Sequence, residues 1–96
     1  MPLYLVAIVK RDDAMAKLEK LIKKFQTIPL PVDIDIEDFI KYAKNFGFKY
    51  DRIRGSHYIF IHDKLLVPFP VPTVNGKKVK NVYLRELNRL IKNVEE

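Results

Sequence analysis

His57 is the side chain in this sequence best placed by its neighbours to move a proton. It follows Gly55-Ser56, and Arg52 and Arg54 stand just before it. Imidazole titrates near neutrality, so it can accept or release a proton at physiological pH. Guanidinium groups give charge-assisted hydrogen bonds to phosphate oxygens. A histidine beside arginines at a turn is therefore a candidate acid–base group for phosphodiester chemistry. A lone histidine is also a common polar residue at a strand start, with no chemistry attached. Ser56 can add a phosphate contact, and so can Lys77, Lys78 and Lys80 further along.

The second histidine, His62, invites a two-histidine mechanism. Strand geometry opposes it: five steps along a period-2 strand put the two rings on opposite faces, about 17 Å apart. His62 reads as a turn or strand-end residue. Tyr50, Tyr58 and Phe60 could stack on bases, but a small sheet needs such residues for its core. The acids Asp33, Asp35, Glu37 and Asp38 are explained by a helix start, where negative charge is stabilised.

The charge is unevenly spread. Residues 1–48 carry eight Lys and Arg against seven Asp and Glu, whereas residues 49–92 carry ten against three. The excess lies in the half that holds His57, and such a field favours a polyanion or an acidic protein. A basic surface with no target is the plainer alternative. The chain has no cysteine, so disulfides and thiolate metal sites are excluded, and a reducing, cytoplasmic location is expected. With two histidines and no cysteine, neither a zinc site nor any other cofactor is expected. The apolar run Leu3 to Val9 is too short to span a membrane, and nothing around it makes a good signal peptide.

The elements that must position His57 follow from periodicity. Leu3 to Val9 has a strand-like composition and reads as a short strand or a subunit contact. Arg11-Asp12-Asp13 would end it. Ala14, Leu18, Leu21, Ile22 and Phe25 then recur at helical spacing, with lysines opposite, which predicts a helix over 13–26. Pro29 and Pro31 break the chain. Asp35 stands as an N-cap, with Asp38 three residues on in the manner of a capping box. Ile36, Phe39, Ile40, Ala43 and Phe46 predict a helix over 36–46, stopped by Gly47. Phe48 to Arg54 and Tyr58 to Ile61 read as a β-hairpin. Leu65 to Val67 reads as a third strand, halted by Pro68, Pro70 and Pro72. Asn75-Gly76 marks a tight turn, and Leu84, Leu87, Ile91 and Val94 line a last helix capped by Asn81. Two such helices must bury their stripes on one face of a small sheet, giving a two-layer α+β domain. The order helix, three strands, helix is that of a double-stranded-RNA-binding domain.

The residues Asp35-Ile36-Glu37-Asp38-Phe39-Ile40, Phe46-Gly47-Phe48, Arg54-Gly55-Ser56-His57-Tyr58-Ile59-Phe60 and Leu66-Val67-Pro68, in that order, resemble the HicA-type toxins of toxin–antitoxin systems. The lysine-bearing loop and the closing helix from Val82 fit as well, and the resemblance runs from about Leu18 to Lys92. It implies a double-stranded-RNA-binding-like α-β-β-β-α fold over 35–96, preceded by an extension and extra helix over 1–34. It implies a metal-independent endoribonuclease acting on messenger RNA and neutralised by a HicB-type antitoxin. The family's functional histidine falls on His57, and Gly55 and Ser56 complete the motif. Three features depart from the family: the stretch Met1 to Arg11 (Met15 sits where a shorter member would begin), the prolines of 68–72, and Tyr58 where many relatives carry another histidine. The alternatives of another class are an RNA-binding module without catalysis and a basic interaction protein.

Overall fold

The computed structural model describes residues 3–95, with side chains from 15 to 95. In chain order the elements are α1 (Leu3–Gln26), β1 (Ile34–Asp35), α2 (Ile36–Asn45), β2 (Lys49–Arg54), β3 (His57–Ile61), β4 (Phe69–Pro72), β5 (Lys78–Val79) and α3 (Asn81–Glu95). The strands β2, β3 and β4 form an antiparallel sheet with β3 in the centre, and β1 pairs with β5 in a separate two-stranded ladder. This is the α-β-β-β-α arrangement of a double-stranded-RNA-binding-like fold, with α1 added before it.

Helices α2 and α3 form because their apolar residues recur on one side. Ile36, Phe39, Tyr42 and Ala43 of α2 and Leu84, Leu87, Ile91 and Val94 of α3 are buried. They meet Phe60 of β3 and Val71 of β4 in one core, with the Phe39 and Phe60 rings edge to face at 5.4 Å. Both helices therefore lie on the sheet face that carries Phe60. Phe25 at the end of α1 joins the same core. The Tyr42 hydroxyl donates to Asn88 Oδ1 at 2.6 Å, and Asn88 Nδ2 donates to the Phe25 carbonyl at 2.9 Å. That chain ties α1, α2 and α3 together, and burial pushes the Tyr42 phenol pKa up. Lys64 Nζ donates to the Val94 carbonyl at 2.9 Å, satisfying one free acceptor of the last turn of α3.

Three expectations need correction. Leu3 to Val9 is not a strand but the start of a continuous 24-residue helix. Neither glycine nor proline interrupts Leu3 to Gln26, the β-branched residues cost only tenths of a kcal/mol each (about 0.5) in a helix, and Arg11-Asp12-Asp13 is no barrier to one. A subunit contact through Leu3 to Val9 lies outside the described side chains. The third strand is not Leu65 to Val67 but Phe69–Pro72; Leu66 and Val67 stand exposed in the loop before it. Pairing decides this: Phe69 lies opposite Phe60 and Val71 opposite Tyr58, which brings two apolar residues onto the helix-covered face. Asp35 does occupy the N-cap position of α2, yet its side chain makes no capping bond. Its carboxylate is held by Lys78 instead.

The prolines fit β4 because it is an edge. Thr73 N–H donates to the Ser56 carbonyl at 2.9 Å, so the inward-facing amides of this strand have odd numbers. Pro70 and Pro72 take the alternate positions, where an N–H would point away from β3 and would find no partner.

Candidate functional site at the β2–β3 hairpin

Gly55-Ser56 connects β2 to β3 in two residues, and Gly55 has φ +61°. A first central residue in the left-handed region is what a type II′ hairpin turn asks for, and glycine supplies it without strain. A Cβ at Gly55 would meet nothing within 4 Å, so the demand is conformational and not spatial. The turn sets Arg54 directly opposite His57. Cross-strand partners share a sheet face and have Cβ atoms about 5 Å apart.

Arg52 reaches that same face through a bulge. The register runs Tyr50 with Phe60, then Arg52 with Ile59, leaving Asp51 unpaired. In an unbroken strand Tyr50 and Arg52 would point the same way. The extra residue puts them on opposite faces. Tyr50 stays with Tyr58 and Phe60 on the helix side, its ring 5.2 Å from that of Tyr58. Arg52 joins Arg54 and His57 on the side turned away from the helices. The aromatics are thereby removed from the face of His57, and base stacking there by Tyr50, Tyr58 and Phe60 is not available.

The two arginines and His57 are all exposed, and among the described residues no hydrogen bond occupies the His57 ring. Between them lies Ile59, 8% exposed, flanked across the sheet by Arg52 and Pro70. The site is a shallow polar strip with an apolar centre.

Thr73 is the residue that sequence reasoning missed. It is 8% exposed, and both its N–H (2.9 Å) and its hydroxyl (2.7 Å) donate to the Ser56 carbonyl. The turn that carries His57 is thus clamped to the exit of β4. A threonine directly after the proline-rich run is the only signal the sequence offers. Directly beyond Thr73, the Val74 carbonyl accepts from Lys77 N–H at 3.1 Å across Asn75 (φ +54°) and Gly76 (φ +69°). Two left-handed residues in succession make a type I′ turn, and it holds Lys77 close in the chain to the clamped tip.

The lysines divide. Lys77 and Lys80 are exposed. Lys78 is committed elsewhere: its Nζ lies 2.6 Å from Asp35 Oδ1 and 3.1 Å from Asp33 Oδ1. The hydrogen bond from Lys78 holds the Asp35 carboxyl below its ordinary range, and the same bond raises the Lys78 ammonium. Lys78 therefore belongs to the β1–β5 ladder and not to a free phosphate-binding set.

His62 is also spoken for. Its Nδ1 accepts from Lys64 N–H at 3.0 Å, which places the proton on Nε2, 3.0 Å from the Phe46 carbonyl that receives it. The ring packs on Phe48 at 4.6 Å and covers Gly47, where a Cβ would come within 2.8 Å of Nε2.

A family model described as the HicA toxin of bacterial toxin–antitoxin systems matches residues 36–94. The match runs from the first residue of α2 into the last turn of α3 and covers more than half of the chain. The chain belongs to the HicA toxin family. It is the toxin member of a toxin–antitoxin system, for which the family implies an antitoxin partner. The match leaves α1 outside, so the family model does not account for the first helix. No curated protein and no solved structure matches the chain. Among the described residues no helix is long and apolar enough to cross a membrane.

Proposed function

We propose that this chain is a cytoplasmic endoribonuclease that cleaves messenger RNA without a metal cofactor, and that a HicB-type antitoxin neutralises it. The observation that carries the reading is the grouping of Arg54, Arg52 and His57 on one exposed face, brought about by a turn and a bulge. The residues in play are His57, Gly55, Ser56, Arg52, Arg54, Lys77 and Lys80.

RNA carries its own nucleophile. The 2′-hydroxyl attacks the adjacent phosphorus, the bond to the 5′-oxygen breaks, and a 2′,3′-cyclic phosphate and a 5′-hydroxyl result. One group must take the 2′ proton and one must protonate the departing oxygen. His57 serves one of these two transfers, since imidazole works in either direction near neutral pH, and water exchanges the other proton. Arg54, directly across the hairpin, is within reach of a phosphate seated against His57. Its guanidinium stabilises the charge that builds on the non-bridging oxygens. Arg52 binds the neighbouring phosphate, and Lys77 and Lys80 extend the contact along the backbone. Gly55 keeps the tip narrow, and Ser56 offers its hydroxyl there. Residues 35–96 form the working core of this proposal, and residues 1–34 are an addition to it.

The test is digestion of an RNA oligonucleotide by the purified full chain in EDTA. The wild type is expected to cleave and to leave cyclic phosphate ends. His57→Ala should be slower by about 10²–10⁴-fold, the usual contribution of one general acid or base. RNA binding with no cleavage by the wild type would replace this reading with a non-catalytic binding module, and equal cleavage by both proteins would remove the His57-dependent mechanism.

A further inference from the structure

Away from the hairpin, α1 and α2 enclose a groove of about 700 Å³. Its rim is built from two rows of lysine. Lys17, Lys20 and Lys24 come from α1, and Lys41 and Lys44 from α2. The spacing explains the rows: positions 17, 20 and 24 fall on one side of a helix, as do 41 and 44. Between the rows lie Leu18 and Leu21, both half-buried. Among the described residues Asp38 is the one carboxylate in the lining, and none of the five lysines makes an ion pair. A second hollow shares Lys20 and Lys24 and continues the groove past Lys23 to Pro29 and Pro31.

We infer that this groove is a docking site for an acidic amphipathic helix of a protein partner. Three observations choose that occupant. First, the floor is leucine and the rim is ammonium. A helix with an apolar stripe and flanking glutamates or aspartates complements both at once, whereas a nucleic-acid backbone gains nothing from the leucines. The lysine stems widen the apolar surface while their heads stay in water. Second, the groove runs between two helices, where a third can pack by ordinary ridge-and-groove rules. Third, the groove belongs to the helix layer, on the far side of the sheet from Arg52, Arg54 and His57. A strand seated at the hairpin therefore has the whole sheet between itself and the groove. The wall that makes it a groove is α1, which the family match leaves out. The docking site is therefore a feature that this chain adds to the family core.

The probe is a fluorescein-labelled peptide of about 20 residues, with leucine at i, i+3, i+4 and i+7 and glutamate elsewhere. Its binding to the full-length chain is read by fluorescence anisotropy at physiological salt. The expected result is saturable binding that weakens about tenfold or more in the triple variant Lys20→Glu, Lys24→Glu, Lys41→Glu. A scrambled peptide of the same composition should bind about tenfold more weakly than the patterned one. Equal binding of the two peptides would reduce the effect to bulk charge and overturn the inference. So would an unchanged affinity in the triple variant. An RNA oligonucleotide whose affinity falls in the triple variant, while the peptide's does not, would make the groove a nucleic-acid surface instead. The glutamine version of the same three substitutions, expected to give a smaller loss in the same direction, keeps the test open should the glutamate version unfold. His57→Ala is expected to bind the peptide like the wild type, so failure here is separable from failure of the nuclease reading.

Discussion

The two histidines stand five residues apart on one strand and its exit, and the fold treats them in opposite ways. His62 has a partner for each ring nitrogen, an aromatic neighbour and a glycine beneath it. His57 is exposed at the tip of a hairpin, opposite an arginine. A ring whose nitrogens both hold the structure together has none left for a substrate. A ring held only by its backbone, on a turn that is itself clamped, can be positioned and still be chemically free. Residue type did not separate the two; the hydrogen-bond partners did.

The contrast is most exposed to a pair of alanine variants. His57→Ala should cost about 10²–10⁴-fold in RNA cleavage and leave thermal stability within about 0.5 kcal/mol of the wild type. His62→Ala should do the reverse, with cleavage per folded molecule retained and stability lowered by about 2 kcal/mol as packing and two hydrogen bonds are lost. Unfolding in urea and a single-turnover cleavage assay read both. If His62→Ala removes cleavage from a folded protein, the division of labour is wrong.

Gly47→Ala probes the same ring from below. Gly47 has φ +88°, and the new methyl group would meet His62 Nε2. Strain and collision together should destabilise by about 1–3 kcal/mol, more than the left-handed conformation alone would cost. A much smaller loss in the His62→Ala background would show that the collision, and not the dihedral, dominates.

Thr73→Val keeps the shape of the clamp and removes its hydroxyl. The Ser56 carbonyl would retain the backbone N–H but lose the 2.7 Å bond. A stability loss of about 1 kcal/mol is expected. The cleavage rate should fall while RNA affinity holds, because Thr73 positions the turn without touching substrate. Rescue by Thr73→Ser would support the hydroxyl as the cause.

The smallest effect belongs to the β1–β5 clip. Asp35 is held below its ordinary value of about 3.8 by the Lys78 hydrogen bond. A lowered carboxyl stabilises the folded chain above the unfolded pKa, and that contribution is lost as pH falls through the folded one. Lys78 is raised above about 10.5, so its contribution is complete below that value and is lost as pH rises through the folded pKa. The clip therefore acts between these limits. Both groups are exposed, so a slight fall in melting temperature on acidification below pH 4 is expected, and Asp35→Asn should flatten it. Since the hairpin site uses neither residue, cleavage by Asp35→Asn at neutral pH should match the wild type.

How much of this was legible beforehand depended on whether a signal was local. Helices α2 and α3 were legible because Phe39, Ala43, Leu84, Leu87 and Ile91 repeat at a period set by the helix itself. The hairpin was legible because Gly55-Ser56 separates two runs of β-forming residues. The strand at Phe69–Pro72 was not, because proline argues against a strand until one knows that it lies at an edge with its empty positions outward. The start of α1 was not legible, because Val6, Ile8 and Val9 favour a strand yet cost a helix little. At the site, His57, Arg52 and Arg54 were named from sequence, but Asp51 as the hinge that aligns them depends on register with β3. Thr73 and the commitment of Lys78 depend on partners 17 and 43 residues away, which no spacing rule reaches.

The prolines of β4 also bear on self-association. A strand margin with no outward amides at Pro70 and Pro72 is a poor template for another chain, whereas β2 on the opposite margin carries no proline. Edge-to-edge addition to this sheet is thus confined to one side. Two copies joined there would leave only blocked margins outward, so that route to polymers ends at a pair, and a fibre cannot propagate through it.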